Sequence, residues 1–150
     1  MNGWLLAFAE IAGLRWVLER RRMAFSRGAA SRAARIQVGD ELILYLTRGA
    51  FHNPTRDKSQ LAGIAHVTSP IRQLKTPIEI AGRDFVATCG IDVDLLLPER
   101  RGVPFEPLVR RIQFIPRKDV WGQYLRGGLV ELPPKDLKTM HQAIAQGAHS

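Results

Sequence analysis

The stretch QVGDELILYLT, residues 37–47, decides how the chain folds. Val38-Gly39-Asp40 is turn chemistry, and residues 41–47 then form a strand rich in β-favouring residues. Side chains alternate across a strand. Leu42, Leu44 and Leu46 therefore share one face, and Ile43 and Tyr45 share the other. Upstream, Trp4-Leu5-Leu6-Ala7-Phe8-Ala9 is a continuous apolar run of strand length. From Glu10 to about Arg21 the period becomes helical, with Ile11, Leu14 and Leu18 on one face and Val17 at its edge. Trp16 sits off that face, four residues before Arg20, either covering a second layer or standing exposed. Met23-Ala24-Phe25-Ser26 is a second short strand, and residues 28–35 a loop or helical turn.

Downstream, residues 48–60 carry Gly49, Asn53 and Pro54 and read as a mobile hairpin loop. Residues 61–67 are the next strand, where Gly63 marks a bulge or a close backbone approach. Pro70 and Pro77 flank an irregular joint. Residues 78–80 and 85–88 then pair as a hairpin through Ala81-Gly82-Arg83, and residues 91–97 extend the sheet. A short helix is expected over 104–109, a strand over 112–115, a helical turn over 118–125 and a last strand over 129–132. Pro134 suits the first turn of a closing helix, whose stripe is Leu137, Met140 and Ile144; residues after 146 are expected to fray.

At 150 residues, 45% apolar and 24% charged, the chain suits one globular domain over 1–150, with its core at about 4–145. Frequent short strands between turn signals, with helices at either end, indicate an α+β fold built on a small mixed barrel. Cys89 is the single cysteine, so no internal disulfide forms, and a reducing cytoplasm is the expected location. The apolar N-terminal run lacks a basic flank and is interrupted by Glu10, which fits neither a signal peptide nor a membrane span.

Charge gives the first functional clue. The net charge is +8, and residues 15–35 hold seven arginines against one acid, Glu19. Such clustering favours an anionic partner, nucleic acid above all, because guanidinium groups fork onto phosphates and stack on bases. Phe25 lies two residues before Arg27, and Tyr45 three before Arg48, with Phe51 following. If the strands of Phe25 and Tyr45 pair, the two rings make a stacking slot with a cationic rim. Otherwise both are core residues. Tyr45 is expected to keep its hydroxyl near water or a polar partner.

Signs of catalysis are few. His52, His66, His141 and His149 share no metal-ligand spacing, and His66 reads as a satisfied sheet residue. Asp92 and Asp94 fall on one strand face and either hold a metal or simply meet solvent. Cys89 has no activating partner, and no GxSxG, phosphate loop or GxGxxG occurs. Neither an enzyme nor a cofactor is expected. The alternative to nucleic-acid binding is a non-catalytic interaction domain, pairing through the Trp16–Arg20 face or a sheet edge, with a homodimer as one form.

The order of these segments resembles the EVE domains of the PUA-like superfamily, relatives of YTH and ASCH domains. A tryptophan-led strand at Trp4-Leu5-Leu6-Ala7 precedes a helix. The short strand at Met23–Ser26 and its basic sequel follow, and then Gln37-Val38-Gly39-Asp40 before a strand ending Leu44-Tyr45. Leu61-Ala62-Gly63-Ile64-Ala65-His66-Val67 and the closing LVELPPKD, residues 129–136, complete the likeness over roughly residues 4–145. The resemblance implies a PUA-like pseudo-barrel of about six mixed strands with flanking helices. It also implies a pocket for a modified or flipped base in RNA or DNA. Carried onto this chain, that pocket lies at Phe8, Ala9, Phe25, Ser26, Arg27, Tyr45 and Arg48. Apart from the resemblance, the charge cluster itself puts Arg32 and Arg35 on the nucleic-acid backbone.

Overall fold

The strand expected over residues 41–47 is β3 (Glu41–Leu46) in the computed structural model, which describes residues 1–125 and 127–149. Around it stand β1 (Gly3–Phe8), α1 (Ile11–Arg20), β2 (Arg22–Ser26), α2 (Ala30–Ala33), β4 (Gln60–Val67), β5 (Arg72–Ile80), β6 (Arg83–Leu96), β7 (Val103–Pro104), β8 (Leu129–Leu132) and α3 (Pro134–Gly147). Short 3-10 segments cover Arg27–Ala29, Glu106–Arg111 and Lys118–Leu125. The strands follow the order β2-β6-β4-β3-β1-β8, with β5 on β6 and β7 on β4. β3 runs parallel to β1 and antiparallel to β4.

Both faces of β3 are buried, each by one of the two sets of side chains that alternate along it. Leu42, Leu44 and Leu46 join one core with Trp4, Ile11, Leu14, Val17 and Phe25. Ile43 and Tyr45 join a second core with Phe105, Ile112, Ile115, Met140 and Ile144. Helix α1 therefore covers one side of the sheet and α3 the other. The buried stripe of α1 is Ile11, Leu14 and Val17, while Leu18 is only half-buried. Trp16 packs at the margin of the first core under the Arg20 guanidinium, 5.0 Å from its ring centre.

Strand β6 curls the sheet into a half-barrel. Its first part pairs with both β2 and β5, and its second part pairs with β4. The turn from β5 into β6 uses Ala81 (φ 52°) and Gly82 (φ 78°), two adjacent left-handed residues that match the twist of a tight hairpin. Gly63 fulfils both of its expected roles. A Cβ there would lie 2.5 Å from the Leu95 carbonyl oxygen, and register shifts flank it in both ladders.

Two sequence expectations need correction. The supposed joint between Pro70 and Pro77 is largely strand β5. Its register shifts between Gln73 and Ile78, so Pro77 sits in a bulge where no ladder N–H is required. Residues 112–115 are not a strand. The Gln113 and Phe114 N–H groups donate to the Asp136 carboxylate at 2.6 and 2.9 Å, and Lys118 Nζ donates to the Ile112 and Ile115 carbonyls. Side chains satisfy this backbone, so it needs no sheet partner.

Asp40 closes the turn before β3. Its carboxylate, 2% exposed, accepts from Trp4 Nε1 (2.9 Å), the Gln37 N–H (2.9 Å) and the Asn2 N–H (3.0 Å), tying the starts of β1 and β3 together. Burial pushes this carboxyl upward, but the three donors outweigh it and hold Asp40 below the usual carboxylate range.

Candidate nucleic-acid interface

The parallel strands β1 and β3 end side by side, and a cleft of about 1220 Å³ opens at those ends. Its walls come from segments far apart in sequence: the end of β1, α1, β2 with Arg27–Ala29, the end of β3, the 54–59 loop, the β5–β6 hairpin, the Lys118–Leu125 segment and Gly127-Gly128. Gly127 and Gly128 have φ of 91° and 77°, so this turn needs glycine. The Gly128 carbonyl accepts from the Ala7 N–H at 2.8 Å, and the Gly127 carbonyl from Arg32 Nη2 at 3.2 Å.

Eight of the expected site residues line this cleft: Phe8, Ala9, Phe25, Ser26, Arg27, Arg32, Tyr45 and Arg48. Arg35 does not. Its Nη2 lies 2.6 Å from Glu131 Oε1, and its guanidinium sits 5.9 Å from the Trp4 ring centre. The strands of Phe25 and Tyr45 do not pair, because β2 hydrogen-bonds to β6 while β3 lies between β1 and β4. Curling of the sheet nevertheless brings both rings to one cleft. They are sealed at 2% and 3% exposure, so neither offers an open face for stacking. Tyr45 meets Phe105 edge-on at 5.2 Å, and its hydroxyl is paired with the Ser59 side chain. Burial raises its pKa, with the Ser59 bond opposing.

The open aromatic surface belongs to two residues outside the expected set. Trp121 and Phe85 both line the cleft and are half-buried. Trp121 packs on Phe105 at 5.5 Å, which continues the row from Tyr45. Phe85 lies under the Arg83 guanidinium, 6.0 Å from the ring centre. Trp121 falls within the helical turn expected over 118–125, and no local periodicity tells that this segment packs at the cleft.

The arginine-rich segment is split rather than gathered on one face. Arg15 forks onto Glu99 through two 2.8 Å bonds, Arg20 covers Trp16, Arg22 donates to Thr88 and Arg35 holds Glu131. Arg27 and Arg32 are the members that reach the cleft. Arg48, Arg56, Lys58 and Arg83 join them from other loops, giving six cations among the described lining residues. The acids lining it are Glu10, Asp57, Asp84 and Glu106. Glu10 faces His52 Nε2 at 2.5 Å.

Residues considered for chemistry lie elsewhere. His66 Nδ1 is 2.8 Å from Asp94, a satisfied pair on the sheet, and Asp92 is exposed. Cys89 is buried at 3% exposure, and burial pushes its thiol up to about 12, far from a reactive thiolate at neutral pH. Among the described residues no helix is long and apolar enough to cross a membrane.

No protein-family model matches the chain, and no curated protein matches its sequence. Solved structures do match. A hypothetical protein from Leishmania major superposes with a TM-score of 0.66 at 11% identity, over 99% of this chain and 97% of that one. A protein from Rhodopseudomonas palustris gives 0.61 at 15%, over 97% and 94%. The YTH domain of the Zygosaccharomyces rouxii MRB1 protein, solved in complex with N6-methyladenosine RNA, gives 0.66 at 11%, over 95% and 83%. Likeness at this level establishes the fold: an α+β curled mixed sheet of the YTH and PUA-like kind.

Proposed function

We propose that this protein is an EVE-type member of the PUA-like superfamily that binds nucleic acid non-catalytically, in the cleft at the ends of β1 and β3. Arg27, Arg32 and Arg48 hold phosphates, and one base, modified or flipped from its strand, rests against the open ring of Trp121 or Phe85. One observation carries the reading: a single cleft combines six cations with two half-buried aromatic rings. Cation and ring together are the elements of single-strand binding. At about 1220 Å³ the cleft exceeds the roughly 300–1,000 Å³ typical of small-molecule sites, which suits a nucleotide with part of its flanking backbone. The YTH structures of this fold that are complexed with RNA favour RNA as the first polymer to test.

The test is a salt titration of binding to a single-stranded RNA. Each phosphate contact in a single strand contributes about 0.7 to the slope of log affinity against log salt. The Arg27→Ala, Arg32→Ala double variant is expected to bind more weakly, with a slope shallower by about 1.4. An unchanged slope would overturn the assignment of these arginines to phosphate.

A further inference from the structure

A second group of donors stands beside the cleft, where β2, β5 and β6 meet. Arg22 pairs with Gly90 in the β2–β6 ladder, and Arg72 pairs with Thr88 in the β5–β6 ladder. Thr88 and Gly90 are two residues apart on β6, and paired residues project to one side, so both arginines leave from the same face of the sheet. Arg22 Nη2 accordingly reaches Thr88 Oγ1 at 2.8 Å. The same face carries two hydroxyls. A Cβ at Gly90 would lie 2.7 Å from Thr68 Oγ1 and 2.8 Å from Ser69 Oγ, so the glycine leaves that space to them. Ser69 Oγ accepts from the Gly90 N–H at 2.7 Å and keeps its own proton for another acceptor. Arg22, Arg72 and Thr68 are exposed, and Ser69 is half-buried.

Among the described residues neither Arg22 nor Arg72 is ion-paired, whereas Arg15 and Arg35 are neutralised by Glu99 and Glu131. A neutral hydroxyl orients the Arg22 guanidinium without cancelling its charge and leaves most of its donors unused. Asp92, the next acid along this face of β6, lies past the point where the strand leaves β2 for β4, and it sits across from His66. Two guanidiniums and a hydroxyl on one face, with no carboxylate between them, suit a phosphate. The group also adjoins the cleft. Ala24, two residues after Arg22 on the same face of β2 and roughly 7 Å further along, lines it. Resting on the nucleic-acid reading above, we propose that Arg22, Arg72 and Ser69 form a second phosphate site, filled by the backbone of the strand whose base occupies the cleft. The bound strand then leaves the cleft along β2 toward β5.

The test uses the full chain and a uridine decamer carrying 4-thiouridine, with affinity read by fluorescence anisotropy at several salt concentrations and crosslinks mapped by mass spectrometry. Arg22→Gln keeps a donor for Thr88, and Arg72→Ala removes no hydrogen bond or ion pair seen among the described residues. Together they are expected to make the slope of log affinity against log salt shallower by about 1.4, and Arg72→Ala alone by about 0.7. The crosslink to Trp121 is expected to persist in both variants. An unchanged slope would overturn the second phosphate site and leave the cleft reading standing. A shallower slope accompanied by loss of the Trp121 crosslink would overturn it too, since the arginines would then act on the cleft itself. Cosedimentation with phosphatidylglycerol vesicles that depends on Arg22 and Arg72, with the RNA slope unchanged, would assign them to a lipid surface instead. Failure of the unaltered protein to bind the decamer would overturn the nucleic-acid reading and this proposal with it.

Discussion

Replacing Asp136 with alanine is expected to destabilise the protein by about 3 kcal/mol, because it strands two backbone donors at once. The side chain is fully buried in the first turn of α3 and accepts from the Gln113 and Phe114 N–H groups. Those residues lie between Ile112 and Ile115, both in the core beneath α3, so their backbone cannot turn to solvent without withdrawing two core side chains. A negative charge at this end of the helix also suits its dipole. For a chain of this size the loss corresponds to a fall in Tm of about 6–12 °C, measured by thermal unfolding. Asp136→Asn keeps one acceptor and is expected to recover about half of it. A variant melting within 2 °C of the parent, about one-half to one kcal/mol, would show that the segment is held by its isoleucines alone.

Asp40→Ala is expected to cost a similar amount, about 3 kcal/mol, since it leaves Trp4 Nε1 in the core without an acceptor, together with the Asn2 and Gln37 N–H groups. Trp4 is fully buried, so no water takes the place of the carboxylate without opening the core. This contribution also depends on pH. The folded carboxyl lies below its unfolded value, about 3.9. Its stabilisation is therefore fully present above about pH 4 and is lost as pH falls through the folded value. Urea unfolding at pH 7 and near pH 2–3 checks the sign: the stability gap between the parent and Asp40→Asn is expected to narrow at the lower pH. A gap that stays constant would mean that the carboxylate's charge adds nothing to the hydrogen bonds.

Local patterning made much of this fold legible. The alternation of residues 42–46 sorted their side chains into the two sets that the structure buries in separate cores, and Gly63 announced its close approach to the neighbouring strand. Residues 112–115 misled because an apolar, β-branched run reads as a strand whether its backbone is satisfied by a ladder or by Asp136 and Lys118. That choice depends on side chains up to 23 residues away. The arginines misled in another manner. Arg21 adopts a left-handed conformation at the end of α1, the chain reverses into β2, and charges close in sequence leave on different sides of the molecule.

The site shows the same division. Seven of its lining residues could be named from the likeness to EVE domains, because they lie at or just after the ends of strands whose order was readable, and Arg32 from the arginine cluster. Trp121, Phe85 and Asp57 could not. They reach the cleft through the curl of β6 and the path of two loops, and long-range contacts fix both.

Photocrosslinking tests the use of this cleft most directly. A single-stranded RNA containing 4-thiouridine is crosslinked to the protein, and the attached peptides are mapped by mass spectrometry. Binding in the cleft predicts adducts at Trp121 and Phe85 and on the segments holding Phe25–Arg32 and residues 54–59, all suppressed by excess unlabelled RNA. Adducts confined to the exposed arginines Arg110, Arg111 and Arg117, with the cleft segments unmarked, would contradict it.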